Sequence, residues 1–226
     1  MNETITLNGK DYPVRRSARR KNLSVILDIN GKITAALPEN YKITGKTTEL
    51  LTPLLEEIIK RAKALPQAKK YIDGEKFLYL GAEYPLKLTD SVRTLEFDGN
   101  FFLLNSGRKD EAKKLFECWY KRALEKRLSE SLPTLCRKLN VTPAKISVKS
   151  TSSVWGSCSR KGNISFCTRL ALLPHKHFEY IVVHELCHLL QMNHSAKFWA
   201  EVEIFIPNYR KLRAELNKNG NIYKWW

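Results

Sequence analysis

His184-Glu185-Leu186-Cys187-His188 is followed, after five intervening residues, by His194. On an α-helix, residues four apart sit about 40° apart on one face, so His184 and His188 can share one metal ion. Glu185 lies on the flank of that face, placed to take a proton from water without itself ligating. His194 cannot join them from the same straight helix, because ten residues advance about 15 Å. The chain must therefore turn back between His188 and His194. Asn193 is a candidate left-handed terminating residue, and Ser195 a candidate cap for a following helix. Three neutral imidazoles would leave a fourth position open, the arrangement of catalytic rather than structural zinc. Glu201 or Glu203 is the rival third ligand, as in sites of two histidines and one glutamate. All five histidines of the chain fall between His175 and His194. His175 and His177 precede the helix and read as surface residues.

Outward from this segment the pattern predicts helices over Pro174–Gln191, Ala196–Phe205 and Pro207–Asn217. Tyr180-Ile181-Val182-Val183, with Leu186, Leu189 and Leu190, supplies apolar faces that bury the first of these. Lys145–Lys149 and Gly162–Phe166 read as short strands. Lys109–Leu139 has apolar residues on one face and predicts a long helix, or two in series because of Pro133. Upstream the chain is β-rich, with strands expected at Thr4–Leu7, Leu23–Ile29, Lys32–Leu37, Phe77–Leu80, Tyr84–Leu88, Val92–Phe97 and Phe101–Leu104. Asn8-Gly9, Asn30-Gly31 and Asp98-Gly99 mark turns. A helix is expected over Thr47–Ala64, with Pro66 just beyond its end. The fold class is α+β. The change of pattern near Gly107 suggests a β-rich region over 1–107 and a catalytic domain over 108–226. No internal repeat is evident.

The 226 residues include 39 basic against 23 acidic side chains, a net charge of +16. Such a surplus attracts polyanions, so DNA is a candidate partner. Arg15, Arg16, Arg19, Arg20 and Lys21 are the candidate phosphate contacts; the alternative is a solvated hairpin edge guarded by charge. No apolar run is long enough to cross a bilayer, so no membrane partner is expected. The start lacks a signal-peptide pattern, and five cysteines without a close pair fit a reducing compartment, so a cytoplasmic location is expected. Oligomeric state leaves no mark in the sequence.

Val154-Trp155-Gly156-Ser157-Cys158-Ser159, Tyr180 to Leu189, Asn193-His194-Ser195-x-x-Phe198-Trp199 and Pro207-Asn208-Tyr209 together resemble the YgjP-like metallopeptidases. Tyr12–Arg20 and Gly74–Tyr84 are similar to the family's amino-terminal segments. The resemblance implies a zincin-like, minigluzincin-type peptidase domain acting on a peptide or protein substrate. It also implies zinc on His184, His188 and His194, with Glu185 as catalyst. A more distant similarity runs to SprT-type DNA-associated proteases. One departure is Cys167-Thr168 before Arg169-Leu170, where the family usually has Asn before Arg-Leu. The histidine spacing equals that of metzincins, but Gln191 stands where those have glycine. The strand Gly162–Phe166 resembles the zincin edge strand, which can hold an extended peptide. Arg169 and Tyr209 are candidates for stabilising the oxyanion or contacting substrate. Trp155 and Trp199 read as core. The tail Tyr223-Lys224-Trp225-Trp226 fits either the core or the cleft. Two other functions stay open: a DNA-binding or DNA-stimulated zinc protein, and a zinc hydrolase of a non-peptide amide.

Overall fold

The computed structural model describes residues 3–27, 32–63, 69–151, 154–220 and 223. The fold is α+β and divides into two compact units, Met1–Leu65 and Pro66–Trp226. The Asn30-Gly31 turn, Pro66 and Lys224–Trp226 lie outside the described residues.

In the first unit β1 (Thr4–Leu7) and β2 (Lys10–Ser17) form a hairpin. Asn8 and Gly9 have φ of 49° and 72°, the left-handed pair that a two-residue hairpin turn requires. β2 runs parallel to β4 (Ile33–Pro38), and β3 (Ser24–Leu27) antiparallel to β4, in the order β1-β2-β4-β3. Ile5, Leu7, Tyr12, Ala35 and Leu37 bury one face against Leu51 and Leu55 of helix α1 (Gly45–Lys63). The basic segment thus begins in an interior strand, not on the hairpin edge expected for it. Strand alternation makes this workable: Tyr12 faces the core while Arg15 is exposed.

The second unit opens with the same arrangement, a correction to the absence of repeats expected from the sequence. β5 (Lys76–Tyr79), β6 (Ala82–Thr89), β7 (Leu95–Phe97) and β8 (Phe102–Asn105) take the order β5-β6-β8-β7, with the same senses of pairing. Registers correspond as well. Phe77 faces Tyr84 as Ile5 faces Tyr12, and Leu86 pairs with Phe102 as Val14 pairs with Ala35. Gly9, Tyr12 and Pro13 recur as Gly81, Tyr84 and Pro85, but few other letters are shared, which hides the duplication from a sequence scan.

Helix α2 (Ala112–Leu139) is continuous through Pro133, so one of the two readings of this segment holds. Its buried residues recur every three or four positions, from Ala112, Phe116 and Tyr120 to Leu135 and Leu139. Phe116 stacks on Phe77 at 4.1 Å, and the Tyr120 hydroxyl donates to the Leu78 carbonyl at 2.7 Å. The β5–β8 sheet therefore shares one core with everything downstream. This is why the compact units divide at Leu65–Pro66 and not near 107.

Beyond α2 come β9 (Lys145–Lys149), β10 (Gly156–Cys158) and β11 (Asn163–Cys167). A 3-10 turn, Thr168–Leu172, leads to α3 (His175–Cys187), α4 (Ala196–Phe205) and α5 (Tyr209–Asn219). The sheet order is β10-β11-β9. β11 is thus the central strand, and the edge expected at Gly162–Phe166 is instead β10. The Leu80-Gly81 turn is bound to the segment entering α3, through Leu80 N–H to Ala171 and Gly81 N–H to Leu172. Gly81 has φ of 87°, and a Cβ there would lie 2.5 Å from Pro174 Cγ. Gly81→Ala is expected to lower stability by about 1–3 kcal/mol, read as a shift in the urea midpoint at unchanged slope.

Candidate metal centre

Helix α3 buries Phe178, Tyr180, Ile181, Val182, Val183, Leu186 and Cys187. That apolar surround holds rigid the face that carries His184 and His188, whose ring centroids stand 5.0 Å apart. The helix then tightens: Leu189 N–H bonds to Leu186, and Leu190 N–H to Cys187. The chain reverses over the next residues, and Ser195 caps α4 by accepting from Phe198 N–H at 3.4 Å. Asn193 is absent from the left-handed residues, so the reversal takes another backbone route than the one expected.

The reversal brings His194 back. Its Nε2 lies 3.1 Å from His184 Nε2, and one nitrogen from each of the three histidines falls within a group 4.8 Å across. Two nitrogens each about 2.0–2.1 Å from one tetrahedral ion stand about 3.3 Å apart, so this donor set fits a divalent metal. Phe198, fully buried, sits against all three rings at 4.5–4.9 Å between centroids. His188 Nδ1 faces the Gln191 carbonyl at 3.1 Å. A proton held there leaves Nε2 as the free donor. Burial pushes His184 down to about 3, aided by His188, His194 and Arg213. Burial likewise lowers His188, against the bond to Gln191. Both rings are therefore neutral near pH 7, as ligation requires.

Glu185 is buried, and its Oε2 has no partner among the described residues. Burial alone raises its carboxyl to about 7. The β10 edge strand packs directly on it: a Cβ at Gly156 would lie 2.6 Å from Glu185 Oε1. Only glycine admits the carboxyl here, which explains the Gly156 of the Trp-Gly-Ser-Cys stretch. Beside them opens a cavity of about 280 Å³, whose lining includes Trp155, Tyr180, His184, Glu185, Arg213 and Asn217.

The other candidates fall elsewhere. Arg169 is buried, with its guanidinium over Trp155 at 4.7 Å and its Nε donating to Cys167 Sγ at 3.3 Å. Tyr209 is buried in a 5.0 Å stack on Trp199. Neither lines the cavity; Tyr180, read from the sequence only as part of the apolar run, and Arg213, which the sequence reading did not name, do. Arg213 lacked any signal because it lies four residues beyond Tyr209, where the quoted motifs end. Trp155 packs on the core as expected and also lines the cavity. Glu203 accepts from Arg210 at 2.8 Å, and the histidine group includes neither Glu201 nor Glu203. His177 bonds to Glu215 at 2.9 Å, tying α3 to α5, while His175 is exposed. In the first unit Arg16 is engaged by Glu3 and by the carbonyls of Pro38, Glu39 and Tyr41. Arg20 donates to Ser24 Oγ at 2.6 Å, whereas Arg15, Arg19 and Lys21 are exposed.

The family model of the YgjP-like metallopeptidase domain matches residues 3–219. The chain belongs to the YgjP-like metallopeptidase family. The family implies a divalent metal, and the three-histidine group is the place for it. Among solved structures, the chain is similar to the metallopeptidase zymogen of Pyrococcus abyssi abylysin. The likeness is at 22% identity and a TM-score of 0.37, over 40% of this chain and 93% of that one. No curated protein matches. Among the described residues, no helix is long and apolar enough to cross a membrane.

Alanine at His184, His188 or His194 is expected to abolish stoichiometric binding of a divalent metal, measured by metal analysis after dialysis. Glu201→Ala and Glu203→Ala are expected to keep it. In the metal-free protein, Glu185 keeps its proton between about 4.5 and about 7 while the unfolded chain has released it. Its contribution to stability is therefore lost as pH rises through that window. His184 runs the other way: the unfolded chain takes up a proton between 6.5 and about 3 that the folded chain refuses, so stability falls as pH falls. Urea unfolding of metal-free Glu185→Gln is expected to lack the decline toward neutral pH and to keep the acid one.

Proposed function

We propose that this member of the YgjP-like family is a zinc-dependent peptidase with a zincin-like active site. The observation that carries the reading is the buried, unpartnered carboxyl of Glu185 beside three converging imidazoles. Three nitrogen donors in a tight group suit zinc better than magnesium or calcium, which prefer oxygen. Zinc held there supplies Lewis acidity toward a carbonyl and lowers the pKa of water. Glu185 takes the proton of the attacking water at its free oxygen and passes it to the leaving amine. Its carboxyl, brought near 7 by burial, suits both transfers at neutral pH. Among the described residues β10 pairs only with β11, which favours its other edge as the place for an extended peptide by strand addition. This supports peptide over a small non-peptide amide, and the reading extends to protein substrates with an unfolded segment.

Glu185→Gln is expected to keep zinc and lose about a hundredfold to ten-thousandfold in kcat, measured on an unfolded protein pool. Retained turnover would remove Glu185 from the mechanism.

A second reading, association with DNA, is supported by the net charge of +16 and the exposed Arg15, Arg19 and Lys21. If these contact phosphates, the affinity falls with salt at a slope of about 0.9 per phosphate neutralised. Neutralising Arg15, Arg19 and Lys21 together is expected to flatten that slope, measured by fluorescence anisotropy. The Arg16 ion pair and carbonyl bonds place Arg16 in the fold, so Arg16→Ala is expected to lower stability instead.

A further inference from the structure

The cavity beside Glu185 has a rim that the reaction just described does not use. Arg213 and Asn217 stand four residues apart on α5, hence on one face. Leu212 and Leu216 on the adjoining face are buried, and His177 of α3 holds Glu215 at 2.9 Å. The helix that carries the rim is therefore firmly docked. The Arg213 guanidinium lies 4.8 Å from the centroid of Trp199. Trp199 in turn stacks on His194 at 5.4 Å and on Tyr209 at 5.0 Å. Arg213 is thus positioned by the same aromatic ring that abuts a metal ligand.

Three acids on the neighbouring helices face other partners. Glu179 faces His175, Glu203 faces Arg210, and Glu215 faces His177. Among the described residues no carboxylate pairs with Arg213. The one acid in the cavity lining, Glu185, is packed against Gly156.

We propose that Arg213, with Asn217 as a second donor, is a specificity-determining residue that selects substrates bearing a carboxylate next to the scissile amide. The proposal rests on the peptidase reading above. A guanidinium offers two parallel N–H donors that match a carboxylate, and stacking on Trp199 lowers the entropy lost on engaging it. Trp155, Ile181 and Leu216 make much of the remaining wall apolar, which strengthens a charge-assisted bond formed there. The net charge of +16 draws acidic chains toward the molecule before any contact forms. The carboxylate belongs either to an Asp or Glu side chain or to the free carboxyl terminus of a peptide.

The test uses the zinc-loaded full chain and matched peptides that differ at one residue beside the scissile bond. That residue is Asp, Asn or Lys, and each peptide is made with a free and with an amidated carboxyl terminus. Wild type is expected to favour Asp over Asn by about tenfold or more in kcat/KM. Arg213→Met, which keeps the apolar stem, is expected to bring the two to parity in kcat/KM. Arg213→Glu is expected to shift preference toward Lys. Preference that follows the free terminus instead of the side chain assigns the site to terminal carboxylates. Indifference of wild type to charge, or a preference that survives in Arg213→Met, overturns the proposal. Binding of the same peptides to the metal-free protein, followed by tryptophan fluorescence, separates the two readings. Arg213-dependent binding of acidic peptides without any cleavage supports carboxylate recognition and ends the peptidase reading. Absence of both cleavage and binding ends both.

Discussion

Three imidazole nitrogens can meet at one ion only if helix α3 stops almost as soon as His188 has been placed. The constraint is metric: continued as helix, His194 would stand about 15 Å from His184 along the axis, whereas their Nε2 atoms lie 3.1 Å apart. Everything local answers to this. The last turn tightens, Ser195 starts α4 anew, and Phe198, one turn into that helix, packs against all three rings. The two sides of the reversal are thereby joined through an apolar ring before any metal is present. The Gln191 carbonyl, inside the reversal, orients His188. The turn that brings in the third histidine therefore also places a carbonyl against the ring of the second.

The same site carries a folding penalty. Raising a carboxyl from 4.5 to about 7 corresponds to about 3 kcal/mol of desolvation unfavourable to the charged form. Lowering His184 to about 3 adds a second cost of the same kind. These are borne by the surround of α3, where Val182, Val183, Leu186 and Cys187 are fully buried. β10 contributes by shape: Gly156 leaves room for the carboxyl that any side chain would displace. A metal bound to the three histidines would offset the burial of the rings, since neutral imidazoles are what it requires. Stability and the proposed catalysis thus pull on the same groups, as expected where ionisable residues are tuned by desolvation.

The four-stranded arrangement occurs in both units but does different work in each. In the second unit its aromatic face joins α2, and its Leu80-Gly81 turn anchors the chain entering α3. In the first unit the corresponding turn is Asn8-Gly9, and a Cβ at Gly9 would meet nothing within 4 Å. The backbone plan is shared; the residues on it diverged with what each face must contact. The basic run follows the same rule. Arg16 is held as an internal tie for the first sheet, while Arg15 and Arg19 stay exposed.

Much of the fold and the grouping of the three histidines was legible in the chain. Helical period, turn pairs such as Asn8-Gly9 and the spacing of His184, His188 and His194 depend on neighbours a few residues away. So does the Ser195 cap, and local rules reach that far. Matching motifs along nearly the full length also pointed to the family that the chain belongs to. β2 was missed because its charged residues mask a strand that is buried on one face only. The duplication was missed because few letters are shared and the paired registers carry most of it. Which strand lies at the edge, why Gly156 must be glycine, and that Arg213 and Tyr180 share a cavity with Glu185 while Arg169 and Tyr209 do not, were decided by tertiary structure. These depend on contacts between segments tens of residues apart. The sequence by itself determined the donors and their spacing; the packing of β10, α3 and α5 decided what surrounds them, because burial and long-range approach set the charge of Glu185 and the shape of the cavity.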